Sequence, residues 1–196
     1  MNKSKKATSI VEVLVIMLIV IIWVVWMYNI FSKWQSLSNT TANRIQAIWI
    51  AREWLEAMIN IRDTNYILFS SSYSWCRNTI NYDSTCVSSN PNIISAWSYK
   101  IYQDYDNRWK VFSWTTNSYS NTTYRNFFKV WIDWNWLYTQ SWWTDTKPLF
   151  TREIKVSYPS SDKMNLTSLV QWSDSSKNWV LKVELSTIIT NFKNKN

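Results

Sequence analysis

The sequence predicts an α+β fold in which one long N-terminal helix packs on an antiparallel β-sheet head. Three observations carry this expectation. Ile10 to Met27 is an apolar run of eighteen residues interrupted only by Glu12. From Ser36 to about Arg62 the pattern turns amphipathic, and the C-terminal half alternates apolar and polar residues in short runs separated by turn signals. At 196 residues the chain has room for one globular domain and an appendage.

The composition excludes several classes of chemistry. Histidine is absent, so triads built on imidazole and the usual zinc sites lack their central residue. Glycine is absent too, so no glycine-rich phosphate loop can be written. At a usual frequency of about 7 per cent, roughly 14 glycines are expected in a chain of this size.

Sixteen tryptophans stand beside that zero. Asp133-Trp134-Asn135-Trp136, Ser141-Trp142-Trp143-Thr144 and Asn178-Trp179 fall between β-like runs, at points where a chain normally turns on glycine. A gene in which UGA specifies glycine, read with a code that assigns UGA to tryptophan, produces this pattern. Trp109 and Trp172 lie inside strand-like runs and read as true tryptophans, which leaves fourteen positions where glycine is expected.

The N-terminal helix comes first in order. Met1 to Ala7 is polar and carries Lys3, Lys5 and Lys6; the apolar run follows at once. Eighteen helical residues cover about 27 Å, close to the hydrocarbon thickness of a bilayer. Three lysines precede the run and only Lys33 follows closely, so the positive-inside bias places the N-terminus in the cytoplasm and the remainder outside. Tyr28-Asn29-Ile30-Phe31-Ser32-Lys33 offers no small-x-small cleavage site, and the apolar segment is expected to be retained. Glu12 is costly in such a helix, by roughly 2.5 to 3.5 kcal/mol at a bilayer centre and less near its surface, and calls for a partner.

Lys5-Lys6-Ala7-Thr8-Ser9-Ile10-Val11-Glu12-Val13-Leu14-Val15 resembles the class III signal of type IV pilins and pseudopilins. In that family a short basic leader ends in a small residue, a cut follows, and a glutamate stands fifth in the mature chain. The resemblance implies cleavage between Ala7 and Thr8 by a prepilin peptidase, N-methylation of Thr8, and an assembly role for Glu12 against the freed amine of a neighbouring subunit. Ala7 stands where the family has glycine, and Thr8 where it has phenylalanine. The implied organisation is a leader at 1–7, a transmembrane and assembly helix at 8–31, an amphipathic half at 32–65, and an extracytoplasmic head at 66–196.

In the amphipathic half, Ile45, Ile48, Leu55 and Met58/Ile59 recur at helical spacing and form the expected core stripe. Ala47, Ala51, Trp54 and Met58 form a smaller second stripe, a shallow groove if position 54 is glycine. Arg52, Glu53 and Glu56 read as a solvated face. With that glycine, residues 51–65 also look like a segment of minor-pilin-like proteins.

The head opens with a loop rich in Ser, Asn and Thr that contains Cys76 and Cys86. An exported address permits oxidation, and a disulfide closing loop 76–86 is the preferred reading, worth on the order of 3 kcal/mol by loop entropy. Strands are expected at 99–105, 108–113, 124–132, 150–158, 166–173 and 180–189, the first two joined through an Asp106-Asn107 turn.

No catalytic constellation stands out, and no cofactor is implied. Asp133, Asn135 and Asp145 carry oxygens at loop positions but lack an acidic terminal calcium ligand, so they read as turn residues and no metal is expected. The formal charge is +8, of which Lys3, Lys5 and Lys6 supply three; the remainder holds 18 basic and 13 acidic residues. The basic residues are scattered, so contact with nucleic acid is a minor expectation.

The expected function is therefore structural, not enzymatic: a minor pilin or pseudopilin of a type IV pilus or type II secretion-like filament. Its expected partners are other subunits, the prepilin peptidase, an inner-membrane assembly platform and membrane lipid. Its expected location is the cytoplasmic membrane and then a filament at the cell surface or in the periplasm. The alternative is a membrane-tethered adhesin or DNA-binding receptor that does not polymerise.

Overall fold

The computed structural model describes residues 10–68, 94–103, 109–114, 118–132, 138–140, 150–160, 163–174 and 179–190. Helix α1 spans Ile10–Leu68. By contacts the chain divides into two compact units, Met1–Asn43 and Arg44–Asn196.

In the first unit the described residues are helical throughout, and the apolar side chains from Ile10 to Phe31 are all exposed. This part of α1 contains a stretch long and apolar enough to cross a membrane by length and composition. Beyond it, a polar run is helical too, and its hydroxyls fold back on the preceding turn rather than competing for a turn of their own: Thr40 Oγ1 donates to Ser36 O at 3.0 Å and Thr41 Oγ1 to Leu37 O at 2.9 Å.

The second unit joins the rest of α1 to a five-stranded antiparallel sheet ordered β2-β1-β5-β6-β7. Its strands are β1 (Ser98–Gln103), β2 (Trp109–Trp114), β5 (Phe150–Ser160), β6 (Lys163–Asp174) and β7 (Trp179–Thr190). Between β2 and β5 lie helix α2 (Thr122–Phe127) and a small hairpin of β3 (Trp131–Ile132) with β4 (Tyr138–Thr139). The long β5-β6-β7 meander carries most of the pairing. Its ladder shifts register between Ser157 and Ser160, where Pro159 has no N–H to donate.

Residues facing each other across a ladder share a face. Ile154 pairs with Ser168 and Tyr99, Val156 with Leu166, Val170 with Val183, and Ile101 with Val111. These residues form the inner face, and α1 covers it.

The buried stripe of α1 is the smaller of the two expected, not the larger. Ala47, Ala51, Trp54 and Met58, joined by Ile50, Ala57 and Ile61, face the sheet, whereas Ile45 and Ile48 are 51% and 41% exposed. Small residues let the helix approach the sheet, and the bulk at Ile50, Trp54, Met58 and Ile61 fills the gaps between its side chains. Leu55 and Ile59 pack only partly against the core. At about 25 cal/mol per Å² of apolar area removed from water, each fully buried aliphatic chain contributes roughly 1.5–3 kcal/mol before entropy is counted.

The expected strand 124–132 is also corrected. Thr122–Phe127 is helical: Asn121 caps it by accepting from Thr123 N at 2.8 Å, and Tyr124 and Phe128, four residues apart, are buried together. Only Trp131–Ile132 is strand, with Lys129 making an isolated bridge to Thr151. Arg152 N donates to Phe128 O and Val130 N to Phe150 O, so this segment serves the first half of one β5 edge. Strand β1 takes the same edge further on, at Ile154 and Lys155.

The tryptophans divide by environment. Trp172 is 2% exposed and meets Phe150 edge to face, and Trp109 packs against the core. Trp23, Trp26, Trp34, Trp49 and Trp97 are all more than half exposed. Trp54 is buried, with no hydrogen-bond partner for its Nε1 among the described residues.

Candidate functional site

Glu12 lies in the first turn of α1. Its described neighbours Ile10, Val11, Val13, Leu14, Val15 and Ile16 are all exposed apolar residues, and among the described residues no cation pairs with it. Ala7, Thr8, Cys76, Cys86, Asp133, Asn135 and Asp145 lie outside the described residues, as does the Asp106-Asn107 turn.

The head holds two buried charges that the sequence did not disclose. They are neighbours on β5 and point to opposite faces. Arg152 faces α1 and is 1% exposed; its guanidinium stacks on the Trp54 ring, with Cζ 3.2 Å from the centroid. Arg152 Nη1 donates to Glu53 Oε2 at 3.4 Å, while Nε and Nη2 have no partner among the described residues. Burial pushes the Arg152 pKa well below its ordinary value, against the opposing pull of Glu53. The Glu53 carboxyl is raised, because its own desolvation outweighs the nearby guanidinium.

Glu153 faces the other way and is 2% exposed. Ser98 Oγ and Tyr124 OH each donate to it at 2.5 Å, to Oε1 and Oε2 respectively, and Lys155 Nζ stands 4.0 Å from Oε2. Burial first, and then the hydrogen bond to Glu153, raise the Tyr124 phenol far above the ordinary tyrosine range, so this group is a fixed donor. The network ties α2, β1 and β5 together. Gln140 makes a comparable tie: its Nε2 donates to Phe128 O at 2.7 Å and to Arg152 O at 2.9 Å.

Outside this buried layer, the outer face of β1 and β2 gathers aromatic rings around a cation. Tyr102 and Phe112 stack with centroids 5.5 Å apart and planes 5° from parallel. Lys100 Nζ lies 4.8 Å from the Phe127 centroid and within 6 Å of the other two, at 5.9 and 5.8 Å. Partial burial lowers the Lys100 pKa. Residues this far apart in the chain meet only because Lys100 pairs with Phe112 across the ladder and α2 folds over the same face. Alternation at Lys100-Ile101-Tyr102 was the one local signal available.

No protein-family model, curated protein or solved structure matches this chain.

Proposed function

We propose that this chain is a structural subunit, a minor pilin or pseudopilin, of a type IV pilus or type II secretion-like filament. The observation that carries the reading is Glu12: a single acid in the first turn of a long apolar helix, without a counter-charge among the described residues. Cleavage between Ala7 and Thr8 would create an amine four residues before it. The carboxylate of one subunit then neutralises the Thr8 amine of the next when both leave water, and an unpaired charge in the fibre core disfavours every other register. Methylation of Thr8 keeps that amine cationic.

The remaining parts follow from this reading. The helix anchors each subunit in the cytoplasmic membrane, with the head outside, until a platform protein and a cytoplasmic ATPase move it into the filament. A prepilin peptidase removes residues 1–7. The head decorates the filament, and it is stiffened by a Cys76–Cys86 disulfide.

Glu12→Ala is the deciding variant. Filament incorporation, read by immunoblot of sheared filaments, is expected to fail while membrane insertion survives. Normal incorporation of the variant would overturn the filament role and favour a tethered receptor that never polymerises.

The tryptophan pattern supports a second inference, that the native chain carries glycine at most of its tryptophan positions. Of the two expected true tryptophans Trp172 is buried in the core and Trp109 packs partly buried against it, while of the others Trp54 is buried and five stand more than half exposed. Intact mass of the protein from its native host tests this. A mass equal to that of the printed sequence refutes it.

A further inference from the structure

We propose that β7 is the docking edge for a second copy of this chain, the two β7 strands pairing antiparallel about a two-fold axis at Val183 so that their sheets continue as one. Among the described residues β7 has a strand neighbour on one side alone, β6, and it ends the order β2-β1-β5-β6-β7. The row of N–H and C=O groups along its other side is a template for a further strand.

Sheet edges are commonly blunted by shortness, by proline, by a bulge or by lysines. Strand β7 runs twelve residues, where β2 at the opposite edge runs six. It contains no proline, and its ladder with β6 proceeds without a register shift from Trp179 opposite Asp174 to Thr190 opposite Lys163. Its inner side is also incompletely covered. Val183 is buried, while Leu181 and Leu185 on either side of it pack only partly against the core.

The side chains identify the occupant. Leu181-Lys182-Val183-Glu184-Leu185 is symmetric about Val183, with a cation on one side answered by an anion on the other. Two copies that keep their helix-covered faces on the same side of a joined sheet must set inner residues opposite inner ones. Among such registers, centring the pair on Lys182 or on Glu184 places like charges opposite each other, and further shifts along the strand leave both charges facing uncharged residues. Centring on Val183 sets Lys182 of each copy opposite Glu184 of the other. Within one copy Lys182 Nζ already stands 3.7 Å from Glu184 Oε2, both side chains being exposed, so the paired copies form a ring of alternating charges. On the inner side the same register brings Leu181 to Leu185 and Val183 to its own counterpart. Opposite-charge and apolar pairs across a ladder each favour the pairing.

A contact of this kind is isologous and closes on itself, so it makes a dimer of heads and does not propagate a fibre. The inference is therefore independent of Glu12. No tryptophan lies between Val180 and Thr190, so the surface is the same if the suspect positions are glycine.

The test is sedimentation velocity of the full chain in neutral detergent micelles over a range of protein concentrations, where a monomer–dimer equilibrium is expected. Lys182→Glu and Glu184→Lys each turn both cross-copy pairs into like-charge pairs and are expected to weaken dimerisation about tenfold. Both side chains are exposed, and far-UV circular dichroism checks that each variant is folded. The combined variant Lys182→Glu/Glu184→Lys is expected to dimerise like the parent. Mixing the two single variants is expected to give a heterodimer tighter than either forms with itself. Glu12→Ala is expected to leave the dimer unchanged, which separates this result from the fate of the filament reading. A parent chain that stays monomeric, a dimer indifferent to either single reversal, or single variants that gain nothing on mixing would each overturn the proposal. Loss of the dimer in Glu12→Ala would do the same, by assigning association to the apolar helix.

Discussion

The two units of this chain both place charge in apolar surroundings, and they deal with it in opposite ways. In the head, Arg152 has Glu53 and the Trp54 ring, and Glu153 has Ser98 and Tyr124. Each compensation comes from a distant part of the same chain. In the unit ending at Asn43, Glu12 stands among exposed aliphatic side chains with no cation beside it among the described residues. The difference is one of cover: the head satisfies its buried charges internally, whereas the apolar side chains of the helix are exposed along a stretch long and apolar enough to cross a membrane.

The comparison breaks most visibly at Glu53. Glu53→Ala leaves the Arg152 guanidinium buried without a carboxylate, and a loss of about 3–5 kcal/mol is expected in denaturant melts. Replacing both partners, Arg152→Met together with Glu53→Ala, removes the charge pair and fills the space with apolar volume, and should lie between neutral and about 4 kcal/mol more stable. If the two variants lose stability equally, Glu53 is not acting as the counter-charge.

Tyr124→Phe is expected to have the next largest effect. It strips one donor from a buried carboxylate and should destabilise the head by roughly 1.5–3 kcal/mol. It also carries a pH signature. The folded state holds the Tyr124 proton above the ordinary value of 10.0, so it binds more protons than the unfolded chain once pH exceeds that value. Stability must then fall as pH rises above 10, and Tyr124→Phe should flatten that part of the curve. An unchanged alkaline limb would remove Tyr124 from the account.

Smaller still is Asn121→Ala, which deletes the cap of α2 and should lower the melting midpoint by an amount equivalent to about 1 kcal/mol. Because α2 carries Tyr124 and Phe127, that variant also sharpens the comparison: it disturbs the outer network while leaving the Arg152 side intact.

The long, regular elements were the legible ones. Strands expected at 150–158, 166–173 and 180–189 are present as β5, β6 and β7, because alternation over many residues leaves only one way to bury an apolar face. Burial of Glu153 was not legible, since its alternation with Ile154 marks a wet face until α2 is known to cover it. The amphipathic stripe misled for a related reason. Ile45 and Ile48 have more apolar surface than Ala47 and Ala51, but close approach of a helix to a sheet rewards small side chains. Segment 124–132 misled because its aromatic residues favour strands, and a capping asparagine with rings four apart outweighed that preference. Of the site residues singled out beforehand, Glu12 alone falls among those the structure describes.

The order of elements also has a consequence for biosynthesis. The inner surface of α1 is covered chiefly by β5, β6 and β7, the last strands to be made. At roughly 5–20 residues per second, the ribosome delivers them on the order of ten seconds after the helix they cover. Throughout that interval Ile50, Met58 and Ile61 are bare. A message cut short ahead of β5 yields not a smaller head but a sticky helix with nothing to close over it, a natural substrate for holding chaperones and quality-control proteases.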